Sequence, residues 1–160
     1  MASTATPHGA SPVGSLVSCA YNAKVTHYKI KNAFGTSIFY GDFVKFGDDN
    51  PNTTIQKDTG TSSATPIGVF LGCAYTDPTT KQFTTNNFYP ASTAADDIVA
   101  YVASDPFLIM QMQSDEALTQ DDLGKNVGIV QTAGSTTIGR SRNAVDGSTA
   151  ATTNTLPLKI

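Results

Sequence analysis

The stretch Pro66-Ile-Gly-Val-Phe-Leu-Gly-Cys-Ala-Tyr75 is the most apolar part of this chain. Turn-forming residues flank it, and Gly68 and Gly72 lie within it. A short apolar run with these features favours a bent, buried β-strand over a helix. We therefore expect this strand to lie at the centre of the core.

Short β-patterns recur on both sides of this stretch and are separated by turn-forming residues. In the first of them, residues 25–31, Tyr28 and Ile30 are expected to face the core. In the second, residues 37–46, Gly41-Asp42 allows a sharp bend. Further patterns cover residues 82–85, 98–103, 107–113, 127–131, 136–140 and 156–160, with a short strand around Ile55. Their number and spacing predict a mainly β chain, a small antiparallel β-barrel or sandwich, with residues 25–160 as a single β domain.

The apolar positions of these strands predict the core. The residues expected to be mostly buried are Ile67, Val69, Phe70, Leu71, Val99, Tyr101, Phe107, Ile109, Val127 and Ile129. At most two short helical turns are expected. One covers residues 92–97, and the other covers residues 119–124, with Thr119 as cap, Leu123 as apolar anchor and Gly124 as terminator.

Residues 1–24 contain Pro, Gly, Ser and Thr with scattered apolar positions, so no periodic element is predicted there. We interpret them as an extended N-terminal arm, mobile in an isolated subunit and ordered against a neighbouring chain. The arm supplies the candidate partner-binding residues, which are Pro7, His8, Gly9, Pro12, Val13 and Leu16.

Composition and charge exclude several classes of protein. The 160 residues fit one domain, only 14% of them are charged, and the net charge is −3. Without a basic field, nucleic acid is a poor direct partner. No apolar run approaches the ~20 residues of a membrane span, and the N-terminus lacks a secretory signal pattern, so the protein is expected to stay where it is made.

Residues of catalytic type are few and dispersed. His27 is the sole histidine of the predicted domain and is expected to face outward, while Glu116 is the only glutamate. The Asp48-Asp49, Asp96-Asp97 and Asp121-Asp122 pairs lie in turn-rich sequence, where they are typical of solvated turns and caps. We therefore expect neither catalytic residues nor an enzymatic activity.

Metal, cofactor and thiol chemistry are not expected either. The Asp48-x-Asn50-x-Asn52 spacing matches the first three positions of a calcium loop, but Thr53 and Thr59 replace the Gly and Glu that such a loop needs. The sequence thus favours an Asx-rich turn. Cys19 and Cys73 could form a disulfide, although two free thiols are favoured.

Several stretches together resemble, in the same order, a family of virion proteins from tailed bacteriophages. They are Pro7-His-Gly-Ala-Ser-Pro-Val13, Cys19-Ala-Tyr-Asn22, Val25-Thr-His-Tyr-Lys-Ile30, Ile38-Phe-Tyr-Gly-Asp-Phe-Val44, Pro66-Ile-Gly-Val-Phe-Leu-Gly72, Tyr89-Pro-Ala-Ser-Thr-Ala94, Ala100-Tyr-Val-Ala-Ser-Asp-Pro106, Leu118-Thr-Gln-Asp-Asp-Leu-Gly-Lys-Asn-Val127 and Asp146-Gly-Ser-Thr-Ala-Ala-Thr-Thr-Asn-Thr-Leu-Pro-Leu-Lys-Ile160. Each stretch is short, and the resemblance rests on their shared order along nearly the whole chain.

The family resembled is that of capsid cement, or head decoration, proteins. The resemblance implies a trimer on the outside of a phage capsid that is made in the host cytoplasm and holds major capsid proteins together. It implies no cofactor and no catalytic residue. The alternatives are a tail or head-fibre component, a carbohydrate-binding β module that would have to rely on Tyr21, Tyr75, Phe88 or Tyr89, and an unrecognised hydrolase.

Overall fold

A computed structural model describes residues 5–17, 24–48 and 53–160. Within these residues the chain is mainly β and contains thirteen strands and one 3₁₀ turn. The strands are β1 Ser11–Ser15, β2 Val25–Ile30, β3 Ile38–Phe39, β4 Phe43–Phe46, β5 Thr54–Lys57, β6 Gly68–Thr76, β7 Phe83–Asn86, β8 Phe88–Tyr89, β9 Val99–Ala103, β10 Leu108–Gln111, β11 Asn126–Val130, β12 Ala144–Ala151 and β13 Leu158–Lys159.

Five strands form a closed barrel in the order β4-β5-β2-β9-β6, and pairing of β6 with β4 completes the circle. Strand β7 continues the sheet from β6 as a hairpin. The predicted small β-barrel is therefore confirmed. The β2–β5 pair is parallel, whereas every other pair of the barrel is antiparallel.

Strand β6 is the central strand, as predicted, because it pairs with β4, β7 and β9. Its register against β9 shifts between Phe70 and Gly72, and Gly72 has a φ of 146°. A Cβ at Gly72 would lie 2.8 Å from the carbonyl oxygen of Asn86 on β7. Glycine at this position lets β6 bend and still keep both neighbours.

Three smaller sheets surround the barrel. Strand β11 lies between β12 and β13, β3 pairs with β8, and β1 pairs with β10 to form a two-stranded ribbon. At the corner between β3 and β4, Gly41 has a φ of 88° and Asp42 is fully buried. The bend predicted at Gly41-Asp42 is confirmed, although the burial of its carboxylate was not predicted.

The predicted core is correct in part. Val69, Phe70, Val127 and Ile129 are buried, whereas Ile67, Leu71, Val99 and Tyr101 are only half-buried. On β9 the prediction chose the wrong face, since the fully enclosed residues around it are Ile98, Ala100 and Val102. Both faces of this strand are apolar, so alternation alone could not decide which one points into the barrel.

The prediction that Phe107 and Ile109 belong to the core is wrong, because both are exposed. Their neighbours Leu108 and Met110 pack against the second buried cluster, which contains Phe43, Val69 and Ile129. Successive side chains on a strand point to opposite faces. The strand therefore buries one apolar face and leaves the other in solvent.

Of the two predicted helical turns, the structure confirms the one at residues 119–124. Thr119 caps the 3₁₀ turn Gln120–Asp122, and Gly124 follows with a φ of 81°, as expected. The predicted apolar anchor Leu123 is wrong, since its side chain is 60% exposed. No helical turn forms over residues 92–97, and residues 136–140 form a turn instead of a strand.

The prediction that residues 1–24 contain no regular element is wrong for β1. Strand β1 pairs with β10, and Ala10 is completely buried in the second cluster. The amide of Gly9 donates to the carbonyl of Asn143, at 3.2 Å. This part of the predicted arm therefore lies on the domain of its own chain, and a deletion of residues 2–20 would remove part of the core.

Candidate interaction surface

The β1–β10 ribbon presents an apolar face to solvent. Phe107 and Ile109 lie on that face with 52% and 39% of their surface exposed. The amide of Leu16 donates to the Phe107 carbonyl at 3.0 Å, which places Leu16 beside this aromatic residue. Leu16 and Val17 are each 74% exposed. Together with Val13, these residues define what we call the outer ribbon face.

A β-bulge places Val13 on this surface. The register of β1 against β10 shifts between Pro12 and Gly14, so Val13 has no partner opposite it. Val13 is 51% exposed and lies next to the Gly14–Ile109 pair. Bulges of this kind redirect a side chain at the end of a sheet. Five exposed apolar side chains thus lie on the ribbon or directly beside it, which is typical of an interaction surface.

Asp105 holds the tip of the ribbon in place. Its carboxylate accepts a hydrogen bond from the Phe107 amide and another from the Ser15 hydroxyl, both at 2.9 Å. The bond from the Phe107 amide lowers the pKa of the Asp105 carboxyl most, and the bond from Ser15 and the charge of Lys24 lower it further. The Ser15 hydroxyl in turn accepts from the Val17 amide at 3.3 Å. The outer ribbon face is therefore presented by a fixed turn.

Acid is expected to destabilise the protein through carboxylates of this kind. Hydrogen bonds from the Lys125 amine and from Thr119 lower the pKa of Asp122 to about 2, and the pKa of Asp105 is lowered as well. A carboxylate whose pKa is lower in the folded chain than in the unfolded chain stabilises the fold at pH values above its unfolded-state pKa. This contribution is lost as the pH falls through the folded-state pKa. Urea melts should give a free energy of unfolding that declines between about pH 4 and about pH 2. An Asp122→Asn variant should show a shallower decline, and an identical slope would contradict this assignment.

An open groove of about 160 Å³ lies on the inner side of the ribbon. Its lining includes Phe43, Val69, Leu108, Met110 and Leu158, together with the prolines at positions 66, 106 and 157. Residues of the ribbon, of the barrel and of β13 all contribute to its lining. Asp105 also lines it, so the groove combines apolar and polar surface.

The structure places the six predicted partner-binding residues at different depths. Val13 and Leu16 belong to the outer ribbon face, whereas Pro7, His8 and Pro12 are half-buried. Gly9 is buried, and a Cβ there would lie 2.5 Å from the Cβ of Ser141. Sequence reasoning missed Val17, Phe107 and Ile109 as surface residues. The signal for the last two was that both faces of residues 107–110 are apolar.

A buried polar cluster lies beneath the β3–β4 corner, and sequence reasoning missed it entirely. Both oxygens of the fully buried Asp42 carboxylate are engaged. Oδ1 accepts from the Ser141 hydroxyl at 2.6 Å and from the Asn143 side-chain amide at 3.3 Å. Oδ2 accepts from the Phe39 amide at 2.9 Å and lies 3.0 Å from Lys57 Nζ. We call these side chains the Asp42 cluster.

The residues considered for other chemistry are placed as follows. His27 is exposed on β2 and contacts the Tyr101 ring edge-on. Burial raises the pKa of the Cys73 thiol to about 12, so it stays protonated and unreactive. Cys19 and most of the calcium-like Asp48-x-Asn50-x-Asn52 pattern lie outside the described residues.

Within the described ranges, no three His, Cys, Asp or Glu side chains form a group able to hold a metal ion. No helix in the same ranges is long and apolar enough to cross a membrane. No protein-family model, curated protein or solved structure matches this chain. The fold and the surface therefore define a mainly β protein with a closed five-stranded barrel and a two-stranded ribbon that exposes apolar side chains.

Proposed function

We propose that this protein is a structural virion protein. As a trimeric cement or decoration protein, it binds the outside of a bacteriophage capsid and stabilises contacts between major capsid proteins. The observation that carries the proposal is the outer ribbon face, where Leu16 and Val17 keep three quarters of their surface in solvent. The resemblance of the ordered sequence stretches to decoration proteins supports the same proposal.

The outer ribbon face suits attachment to another protein. Burying exposed apolar surface is favourable by roughly 25 cal/mol per Å², and aromatic side chains such as Phe107 contribute strongly to interfaces. Charged residues make up only 14% of the chain, so little charge has to be desolvated when a surface is covered. The hydrogen bonds of Asp105 already order the tip of the ribbon in the unbound protein, so less conformational entropy is lost on binding.

The proposed stabilising effect follows from mass action. A protein that binds the assembled shell, and not its separated subunits, stabilises the shell in proportion to its occupancy. Three linked copies add avidity, because once one copy is bound the others experience a high local concentration of binding sites. No catalytic step is needed for this role.

Substitution of Phe107 by Ser is expected to weaken binding to phage heads by at least tenfold, because it removes the largest side chain of the outer ribbon face. Binding is measured by adding purified chain to heads assembled without it and quantifying occupancy after sedimentation. Phe83→Ser is the matched control, since Phe83 is 72% exposed on β7 but lies outside the outer ribbon face. Equal occupancy by Phe107→Ser and Phe83→Ser would remove this face from the mechanism.

The same heads test the proposed role itself. Heads carrying the wild-type chain should release their DNA at a higher temperature than heads without it, and the isolated chain should have a mass near three times 16.7 kDa in light scattering. Equal heat resistance with and without bound chain would overturn the cement assignment. Antibody labelling at the tail in place of the head would favour the tail or fibre alternative.

A further inference from the structure

The Asp42 cluster contains a primary amine, a carboxamide and a carboxylate that contacts both. The carboxylate of Asp42 lies 3.0 Å from Lys57 Nζ through one oxygen and 3.3 Å from the Asn143 side-chain nitrogen through the other. Asp42 and Asn143 are fully buried, and only 10% of the Lys57 side chain is exposed. Burying an amine together with a carboxylate costs desolvation free energy that offsets their attraction. Stability alone therefore does not explain why this pair is buried.

We propose that Lys57 and Asn143 form an intramolecular isopeptide bond, with Asp42 as the group that transfers protons between them. This inference goes beyond the proposed function and is independent of it. The reaction would occur once in each folded chain. It would join β5 of the barrel to the segment that leads into β12.

Each residue of the cluster matches a requirement of amide exchange. The nucleophile is the Lys57 amine, which becomes reactive when it loses its proton to a neighbouring base. The Asp42 carboxylate at 3.0 Å is that base. The Thr132 amide donates to Asn143 Oδ1 at 3.1 Å and can stabilise negative charge on this oxygen during attack. The Ser141 hydroxyl orients the carboxylate at 2.6 Å.

The reaction balances without any added reagent. Lys57 Nζ passes one proton to Asp42 and attacks Cγ of Asn143, so that a new C–N bond forms while the carbonyl electrons move to Oδ1. Asp42 then delivers the proton to the Asn143 nitrogen and accepts the second proton of Nζ. The carbonyl re-forms as the Cγ–Nδ2 bond breaks and ammonia leaves, and the proton remaining on Asp42 passes to ammonia. The net products are a secondary amide, ammonium and the original Asp42 carboxylate.

The fold brings the Lys57 amine and the Asn143 carboxamide to the two oxygens of one carboxylate. Lys57 and Asn143 are far apart in sequence and face the same carboxylate only after β4, β5 and the residue 141–143 segment have packed together. Holding two reacting groups side by side raises their effective concentration greatly. The low exposure of the cluster also limits competing hydrolysis by water.

The intact mass of the denatured, full-length wild-type chain tests the proposal. It should be lower than the mass calculated from the sequence by one ammonia, about 17 Da, since one amine has displaced one amide nitrogen. Lys57→Arg keeps the positive charge but cannot form the bond, and it should have its full calculated mass. Lys125→Arg is the matched control, because Lys125 also pairs with an aspartate, Asp122, but lies outside the Asp42 cluster. This variant should keep the ammonia deficit.

Peptide mapping locates the bond. Trypsin should fail to cut after Lys57 in the wild-type chain and should release a branched peptide that joins Lys57 to Asn143. Asp42→Asn should abolish the branched peptide because it removes the proton-transferring group. A wild-type chain of full calculated mass that is cut after Lys57 would overturn the proposal, whether or not the variants fold. A deficit of one water, about 18 Da, with Lys57 joined to Asp42 would also overturn it, because Asp42 would then be the acyl group.

Discussion

Phe70→Ala is expected to lower the free energy of unfolding by about 3 to 5 kcal/mol. Phe70 has no exposed surface and lies on β6, the strand that pairs with three others. Truncation to Ala loses the transfer free energy of the ring and leaves a cavity between packed strands that cannot collapse around it. Urea or guanidinium melts of the purified chain measure the difference.

Phe83→Ala provides the comparison for this substitution. It removes the same ring from β7, where 72% of the residue is exposed, so the loss should stay within about 0.5 kcal/mol. A loss below about 1 kcal/mol for Phe70→Ala would mean that the barrel interior repacks or that Phe70 is not enclosed in solution.

Asp42→Ala should be destabilising by about 3 to 5 kcal/mol, because without Asp42 the isopeptide bond cannot form and Lys57 stays a buried amine with no carboxylate beside it. The Phe39 amide and the Ser141 hydroxyl would also lose their acceptor. Buried donors without an acceptor keep the full penalty of their desolvation. Asp42 connects the β3–β4 corner with residues 141–143, so the loss should spread beyond one strand.

Asp48→Ala is the matched control for Asp42→Ala. Asp48 also faces a lysine, Lys45, but at 3.9 Å and with 82% of its side chain exposed. Exposed pairs of this kind contribute about 0 to 1 kcal/mol. Similar losses for the two variants would show that the burial of Asp42 does not govern its contribution, and denaturant melts at pH 7 decide between these outcomes.

Most of the barrel could be predicted because its signals are local. The apolar run from Pro66 to Tyr75 contains its own bend at Gly72, and turn-forming residues mark where it begins and ends. The cap at Thr119 likewise depends on neighbouring residues, because the Thr119 amide and hydroxyl both donate to the Asp122 carboxylate three positions on. Backbone preferences of this range can be read from sequence without any knowledge of the packing.

The candidate surface could be predicted only in part. Val13 and Leu16 were identified, but within an arm that turned out to contain a strand of the ribbon. Phe107 and Ile109 were assigned to the core because they are apolar. Their exposure follows from β10 lying outside the barrel, where a second layer covers only the face of Leu108 and Met110.

The sequence by itself determined the β class, the central position of residues 66–75 and the shortage of catalytic residue types. Only the tertiary structure decided which apolar faces stay in solvent and where the buried charges meet. Asp42 and Asn143 are separated by 101 positions along the chain, yet their side chains share a hydrogen bond. The physical reason is range: turns and strand patterns arise between neighbours, whereas burial and polar pairing depend on segments that meet only when the barrel closes.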